Sequence, residues 1–444
     1  MKRYEKYKPS GIEWIGGIPE HWKIIRLKYL SKIENGSTPN TGVVEYWNGE
    51  IKWATPVDVS NAKNYLISDT GKKITKEGFD SCGTTLVEPS SIILTTRAPI
   101  GNVAMAGDYI CTNQGCKAIH LLKANHSYLF YQLLVSKVVL ESLGSGSTFK
   151  ELSTDALKSF LVCLPTNNEQ TAIADYLYSK TAQIDELIAK KQELINLLNE
   201  ERTAIINQAV TKGLNPNAPM KISGISWIGE IPAHWHIKKF KHILLRNKNA
   251  LKTGPFGSQL KTTDFVLNGR YKVYNQRSVL EDDFDLGDDF INDQKFTELK
   301  EFEIFPGDIL ITTRGTIGKC AIFPTRKHKG VLHPCLIRIQ VDEGIVLKDW
   351  ITNYINNSSL FLSAVLLESN ATTIDVIYGT DLKEIVIPIP NDLREQRDIL
   401  EYINNQLLRI RETDLKINKE IELLQEYRTA LISEAVTGKI DVRI

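Results

Sequence analysis

The sequence predicts an α+β protein built as an internal duplication. Two globular α/β domains are each followed by a long helix, and the two helices pair with one another as a coiled coil. Three observations predict it. The segment SGIEWIGGIPEHW from Ser10 returns as SGISWIGEIPAHW from Ser223. A heptad repeat of apolar residues, free of Gly and Pro, follows each globular stretch. The stretches between alternate short β-rich runs with turn clusters.

The duplication extends well beyond the opening segment. Trp14, Pro19, His21 and Trp22 match Trp227, Pro232, His234 and Trp235, each 213 positions on. LTTRAPIGNVA from Leu94 matches ITTRGTIGKCA from Ile311 at an offset of 217, and RTAIINQAVTKG from Arg202 matches RTALISEAVTGK from Arg428 at 226. The offset grows because the second copy carries small insertions. A period of roughly two hundred residues is far too long for a solenoid. The copies agree at their edges and diverge in their middles, as a common frame holding two unlike inserts would. The expected divisions are a globular domain over 1–165, a helical segment over 166–213, a second globular domain over 214–390 and a second helical segment over 391–444.

The opening segment resembles neither a strand nor an amphipathic helix; its two Trp are expected to bury a large apolar area and anchor each domain to the shared scaffold. In the first globular region the runs IIRLKYL, SIILTTR and FLVCLP read as strands, set among turn clusters such as ENGSTPNTG and SLGSGST. DILITTR, LIRIQV and EIVIPIP occupy the corresponding places in the second. Helices are expected over SYLFYQLLVSKVVLESL and DWITNYINNSSLFLSAVLLES, ahead of the last strand of each copy.

Each long helix has a start signal. Thr166 with Glu169, and Asp392 with Glu395, fit a capping box after Pro165 and Pro390. Leu177, Ile184 and Leu198 recur at heptad spacing in the first helix, as do Ile403, Ile410, Ile417 and Leu424 in the second. Leu187, Leu194, Leu407 and Ile421 fill the intermediate positions. Some forty uninterrupted residues give a rod of about 60 Å. A narrow apolar stripe cannot bury itself, so each helix needs a partner, and its own duplicate is the obvious one. Lys191 and Asp414 interrupt the stripe as register-setting polar residues. Arg202 and Arg428 hold equivalent places and either set register or meet a partner protein.

Composition excludes several classes. A net charge of +1 means that any nucleic-acid binding must come from local clusters. The six Cys show no paired close spacing, which suits reduced thiols rather than disulfides or zinc. No signal-peptide core opens the sequence and no run is long and apolar enough to span a bilayer, so a soluble cytoplasmic protein without membrane association is expected. There is no Walker A loop, no Gly-x-Gly turn after a strand, no amino-methyltransferase Asn/Asp-Pro-Pro-aromatic motif and no His-Glu-x-x-His. Glu50-Ile51-Lys52 lacks the Pro-Asp of a nuclease, and His333-Pro334-Cys335 lacks metal partners. Neither catalytic residues nor a metal site is expected.

The candidate chemistry lies in loops. Arg97 and Arg314 follow a strand in a Gly-containing turn, where an Arg either grips phosphate or a guanine edge or is buried pinning the turn. Asn35, Ser37, Thr38, Thr55, Asp58 and Lys150 are candidate DNA-binding groups of the first copy. Lys252, Ser258, Gln259, Lys261, Asn275, Gln276, Arg277 and Lys319 are those of the second. Asn and Gln suit adenine edges, and Lys suits phosphates. HIKKFKH from His236 and RKHKG from Arg326 add positive charge for backbone contacts, while the acidic EDDFDLGDD from Glu281 should face away from a duplex.

Taken together, the twin WIGxIPxHW segments, YWNGEIKWATPVDV, GPFGSQLK, the TTRxxIG turns, LPTNNEQ and IPNDLREQ, and the RTAxIxxAVT helix ends resemble the DNA specificity subunits of type I restriction-modification systems over nearly the whole chain. The resemblance implies two target-recognition domains that each read one half of a bipartite double-stranded DNA site. It also implies antiparallel helices that set the spacer and dock two modification subunits. S-adenosylmethionine would sit on those subunits, and ATP and Mg on separate motor-nuclease subunits, leaving this chain without a cofactor. The unlike loops GSTPN and GPFGS imply an asymmetric target. The alternative is a non-catalytic scaffold or adaptor whose globular domains bind proteins; salt-dependent duplex binding separates the two.

Overall fold

The computed structural model describes residues 2–146, 150–267, 269–368 and 376–443. The chain divides into two compact units, Met1–Lys191 with Asn418–Ile444, and Gln192–Ile417. Two long helices run over Asn167–Lys212 and Leu393–Val436, and each contributes one stretch to each unit.

The first unit opens with a hairpin in which Tyr7–Pro9 pairs antiparallel with Gly17–Pro19. Within the connecting loop the Ser10 N–H donates to the Gly16 carbonyl at 2.9 Å, and the Ile12 N–H to Ser10 Oγ at 3.0 Å. Gly16 adopts a φ of +68°, which a side chain would resist. The opening segment therefore does contain a strand, contrary to expectation. Three residues are too few to display a two-residue period. The second copy repeats the device: Met220–Ile222 pairs with Glu230–Pro232, and Gly229 sits at a φ of +71°.

Next, Lys23–Arg26 pairs antiparallel with Leu161–Leu164, so the globular part of the first unit begins and ends in a single ladder. Only the first part of IIRLKYL is strand; Leu27–Tyr29 turns into a 3-10 helix. Between them lies a five-stranded sheet with Ser31–Asn35 at one edge and Cys116–Leu121, Ile92–Thr95 and Val103–Ala106 inside it. A three-stranded sheet is built around Trp47–Ala54. SYLFYQLLVSKVVLESL forms two helices, His126–Val135 and Lys137–Ser142. Their buried Tyr128, Leu133 and Leu140 share one core with Ile92 and Leu94 of the sheet, and with Leu177, Ile184, Leu431 and Val436 of the long helices.

The second unit repeats this plan. His236–Lys239 pairs with Val386–Ile389, a four-stranded sheet centres on Ile309–Thr312 and Leu336–Ile339, and a three-stranded sheet on Tyr271–Tyr274. DWITNYINNSSLFLSAVLLES gives helices over Lys348–Asn357 and Ser359–Glu368; its last residue, Ser369, lies outside the described residues, as do Ser147 and Thr148 of SLGSGST.

Within each unit the two long-helix stretches pack antiparallel. In the first, Arg428 meets Asp185 and Lys191 meets Glu420, so one numbering falls as the other rises. In the second, Ile206 and Val210 share a core with Ile399 and Ile403, while Leu198 and Arg202 share a cavity with Leu407 and Ile410. Leu177, Ile184, Ile403 and Ile417 are buried, and Leu198, Leu407, Ile410, Ile421 and Leu424 half-buried, as a seam requires. Leu187 and Leu194 are not in it: each is 43% exposed. Thr181, Ile188 and Ile195 take the intermediate places instead. Leu187 and Ile188 are adjacent apolar residues, as are Leu194 and Ile195, so spacing alone could not choose between them.

Candidate functional site

Two arrangements recur in both units. The first is a clasp at the helix ends. Trp22 is wholly buried, with its indole Nε1 3.5 Å from Glu169 Oε1, and His21 Nε2 lies 2.8 Å from the same oxygen. Glu169 also closes a capping box, receiving the Thr166 N–H at 3.1 Å while its own N–H reaches Thr166 Oγ1 at 3.4 Å. In the second unit Trp235 Nε1 donates to Glu395 Oε1 at 2.9 Å, and His234 stands 2.9 Å from Glu395. Here the expected box is not closed. Asp392 accepts the Arg394 N–H at 2.8 Å, and Glu395 turns to the indole instead. Each Trp also covers the end of the other long helix. Gly438 (φ +72°) lies against Trp22 and Pro19, and Gly213 (φ +69°) against Trp235 and Pro232. Trp14 and Trp227 are only half-buried.

The second arrangement is a crown of loops, set by three main-chain hydrogen bonds that the two units share. Thr96 N–H donates to the Gly115 carbonyl at 2.8 Å, and Thr313 N–H to that of Cys335 at 3.0 Å. Leu152 N–H reaches the Thr96 carbonyl at 2.9 Å, and Ile377 N–H the Thr313 carbonyl at 2.9 Å. Asn113 N–H bonds to Ala54 at 2.9 Å, and His333 N–H to Tyr274 at 2.9 Å. A further bond differs between the units: Ser37 N–H donates to Thr112 in the first, whereas in the second Gly254 N–H donates to Leu336, which stands opposite Cys116, both at 2.9 Å. The loops touch backbone to backbone: a Cβ on Gly36 would stand 1.9 Å from the Asn113 carbonyl oxygen, and one on Gly254 2.2 Å from that of His333. Gly36→Ala is therefore expected to destabilise the first unit by about 1–3 kcal/mol through overpacking. A calorimetric melt checks this, and an unchanged transition would contradict so close an approach.

On this common frame the side chains differ. In the first unit Asn35 Oδ1 accepts from Lys117 Nζ at 2.8 Å and Thr154 Oγ1 at 2.9 Å, and burial lowers the pKa of the Lys117 ammonium. Thr38 hydrogen-bonds Gln114. The Ser37 carbonyl accepts Trp53 Nε1 at 2.9 Å. Thr55 and Asp58 form a capping box, with the remaining Asp58 oxygen accepting Gly71 N–H at 2.8 Å, so both are committed within the unit. Arg97 is exposed and ion-paired to Glu151 at 3.1 Å, and Lys150 is exposed beside it in sequence.

In the second unit Arg314, Arg277, Ser258, Gln259 and Lys261 are exposed. Asn275 caps the Gln276–Leu280 helix and donates to Asp289 at 3.0 Å, while Gln276 Nε2 reaches the Thr316 carbonyl at 3.2 Å, tying that helix to the Arg314 turn. Gln259 closes its own loop by accepting Phe256 N–H at 2.9 Å. Two candidates are drawn elsewhere. Lys252 pairs with Glu301 and lies 4.7 Å from the Phe302 ring centre, and Lys319 donates to the Asn356 carbonyl at 3.0 Å. Neither sister Arg is the buried turn-pinning group; the buried Arg338 reaches the Glu303 and Asn249 carbonyls, outside the TTRGTIG turn.

The charge clusters need correction. Lys327 of RKHKG pairs with Asp285 of EDDFDLGDD, and Lys329 with Glu303 at 3.0 Å. Lys239 and Lys241 of HIKKFKH both reach Glu384, at 2.7 and 2.8 Å. RKHKG thus lies beside the acidic run, and the lysines of HIKKFKH are paired with Glu384, because opposite charges brought close by folding attract more strongly than in the open chain.

Sequence reasoning missed Gln114, Glu151, Thr316 and His333, which line the same crowns. Burial lowers the pKa of His333 and raises that of the Cys335 thiol that it faces. A residue-by-residue alignment of the repeat would have found Asn113-Gln114-Gly115 opposite His333-Pro334-Cys335. Among the described residues no helix is long and apolar enough to cross a membrane, and no group of three or more His, Cys, Asp or Glu could hold a metal ion.

The family model described as the type I restriction modification DNA specificity domain matches residues 19–197 and 256–423, one segment in each copy of the repeat. The MjaIX specificity subunit of a type I restriction enzyme from Methanocaldococcus jannaschii is 25% identical, covering 96% of this chain and 95% of that protein. The EcoKI specificity subunit from Escherichia coli is 21% identical over 68% of this chain and 62% of its own length. A chain of a type I R-M system, solved to explain its complex assembly and conformational transition, superposes with a TM-score of 0.68 at 15% identity over 95% of this chain and 99% of that one. The HsdS subunit from Thermoanaerobacter tengcongensis gives 0.55 at 15% identity over 95% and 98%. With its duplicated frame and both halves matched, the chain belongs to the type I restriction-modification DNA specificity family.

Proposed function

We propose that each crown reads one half of an asymmetric, bipartite double-stranded DNA target, while the paired long helices set the spacer and dock two modification subunits. The chain itself catalyses nothing. S-adenosylmethionine belongs to the modification subunits, and ATP and Mg to motor-nuclease subunits that join them. The observation that carries this reading is one main-chain frame presenting unlike side chains twice. Arg97 with Glu151, and Thr38 with Gln114, mark one crown; Arg314, Gln276 and His333 mark the other. Arg, Gln and Asn on such loops match guanine and adenine edges, and exposed Lys261 and Lys150 suit phosphates. Helices of 46 and 44 residues are about 65–70 Å long, enough for about two turns of a duplex. Two weak half-site contacts on one chain then multiply through effective concentration.

The test is an exchange. Residues 23–165 are replaced by the corresponding segment of another family member, the complex is reconstituted with its modification subunits, and the methylated positions are mapped. One half-sequence should change while the other half is retained. A target altered in both halves, or in neither, would overturn the assignment of one half to each crown.

A further inference from the structure

The two long helices are related by an offset of 226 positions, which places Arg428 on Arg202, Arg411 on Asp185 and Asp414 on Ile188. In the first unit the arginine finds its carboxylate internally. Arg428 Nε and Nη2 hold the two oxygens of Asp185 at 2.8 and 3.1 Å, and the guanidinium, with its side chain only 12% exposed, lies 5.3 Å from the centre of the Tyr65 ring. In the second unit the position of that carboxylate is taken by another arginine. Arg202 and Arg411 are both exposed and line one cavity of about 400 Å³, together with Asn199, Asn404 and Asp414. Arg202 donates to Asn357 Oδ1 at 3.0 Å, a neutral acceptor. Two guanidinium groups against one carboxylate leave this cavity one positive charge in excess.

Like charges at one site are tolerable while water screens them, and they become a binding site when an anion enters with fixed geometry. We propose that the Arg202–Arg411 cavity accepts an Asp or Glu side chain from a docked modification subunit, supplying from outside the carboxylate that the first unit carries within. This rests on the functional reading above, which places such subunits on the helices. The surroundings favour a protein over the DNA backbone: Leu408, which lines the cavity, is 56% exposed and Leu415, one turn on from Arg411, is 60% exposed, and apolar surface beside arginine is typical of protein interfaces. The two docking events are then unequal, because the second unit offers an open arginine pair where the first has Arg428 closed on Asp185.

The test uses the full chain with its purified cognate modification subunit, with native mass spectrometry and titration calorimetry as readouts, and compares R411D and R411A with wild type. In R411D the new carboxylate should pair with Arg202 as Asp185 pairs with Arg428. The thermal transition of the second unit should rise by about 2–4 °C, and binding of one of the two modification subunits should weaken by roughly tenfold or more. R411A should weaken the same event without the thermal rise. Affinity for target DNA alone should not change. Two modification subunits bound as tightly by both variants as by wild type would overturn this inference and leave the functional reading standing. A loss confined to DNA alone would overturn it too, marking the cavity as a phosphate contact. A wild-type chain that bound no modification subunit would instead overturn the functional reading.

Discussion

Trp22→Ala should lower the stability of the first unit by about 3–5 kcal/mol, the usual cost of deleting a fully buried large aromatic side chain. Nothing small can refill the site. Trp22 is wholly buried, its ring meets Tyr4 edge to face at 5.8 Å, and it forms the wall against which Pro19 and Gly438 close. The indole also leaves Glu169 without one of its neighbours. For a unit of this size the transition should fall by about 10 °C in a calorimetric scan. Trp14→Ala, at a half-buried site, should cost about 1–2 kcal/mol, since less apolar area leaves water there. Equal losses from the two would show that the motif is held by overall apolar area rather than by the buried Trp.

Glu169→Ala ranks next, at about 3 kcal/mol. The carboxylate, with its side chain only 4% exposed, faces His21 at 2.8 Å, the Thr166 hydroxyl at 2.8 Å and Arg443 at 3.2 Å, so its removal strands several partly buried donors at once. Glu395→Ala should cost less, because Glu395 is 30% exposed and water can replace it. The pH dependence follows from the same contacts. Burial alone would raise the Glu169 pKa, but the hydrogen bonds from His21 and Thr166 outweigh it, and the net shift is downward. A lowered folded pKa means that the unfolded chain binds more protons just below the ordinary Glu value of ~4.3. The stabilisation is thus complete above that value and is lost as pH falls through the folded pKa. Melting temperatures of wild type and Glu169→Gln should differ most near neutrality and converge in acid. A gap that widened as pH fell would contradict the assigned shift.

The long helices and the duplication were legible because their signals are local or repeated: heptads without Gly or Pro, and twin segments at nearly constant offset. The seam was legible only in part. At 226 positions apart, Leu407 corresponds to Thr181 and Ile421 to Ile195, so the second helix already indicated which neighbour of Leu187 and Leu194 faces inward. The crowns were legible in residue type but not in wiring. The bonds that build them join Ala54 to Asn113 and Thr96 to Leu152, separations over which periodicity carries no information. Whether a polar loop residue is free or committed depends on such partners: Thr55 and Asp58 satisfy each other, whereas Arg314 stays exposed. Charge runs misled for the same reason, since Lys327 and Asp285 meet only after folding.

The discontinuity of the first unit bears on biosynthesis. Its core includes Leu431, Ile432, Ala435 and Val436, which a ribosome delivers only after the second unit, and that unit is one unbroken stretch, Gln192–Ile417. During translation the stretch up to Lys191 must therefore wait for the far end of the second long helix, while the later, continuous unit can close as soon as its own residues have left the exit tunnel. A nascent chain stalled before Asn418 would hold Tyr128, Leu177 and their neighbours without their cover, exposed to chaperones and proteases although they were made before the second unit.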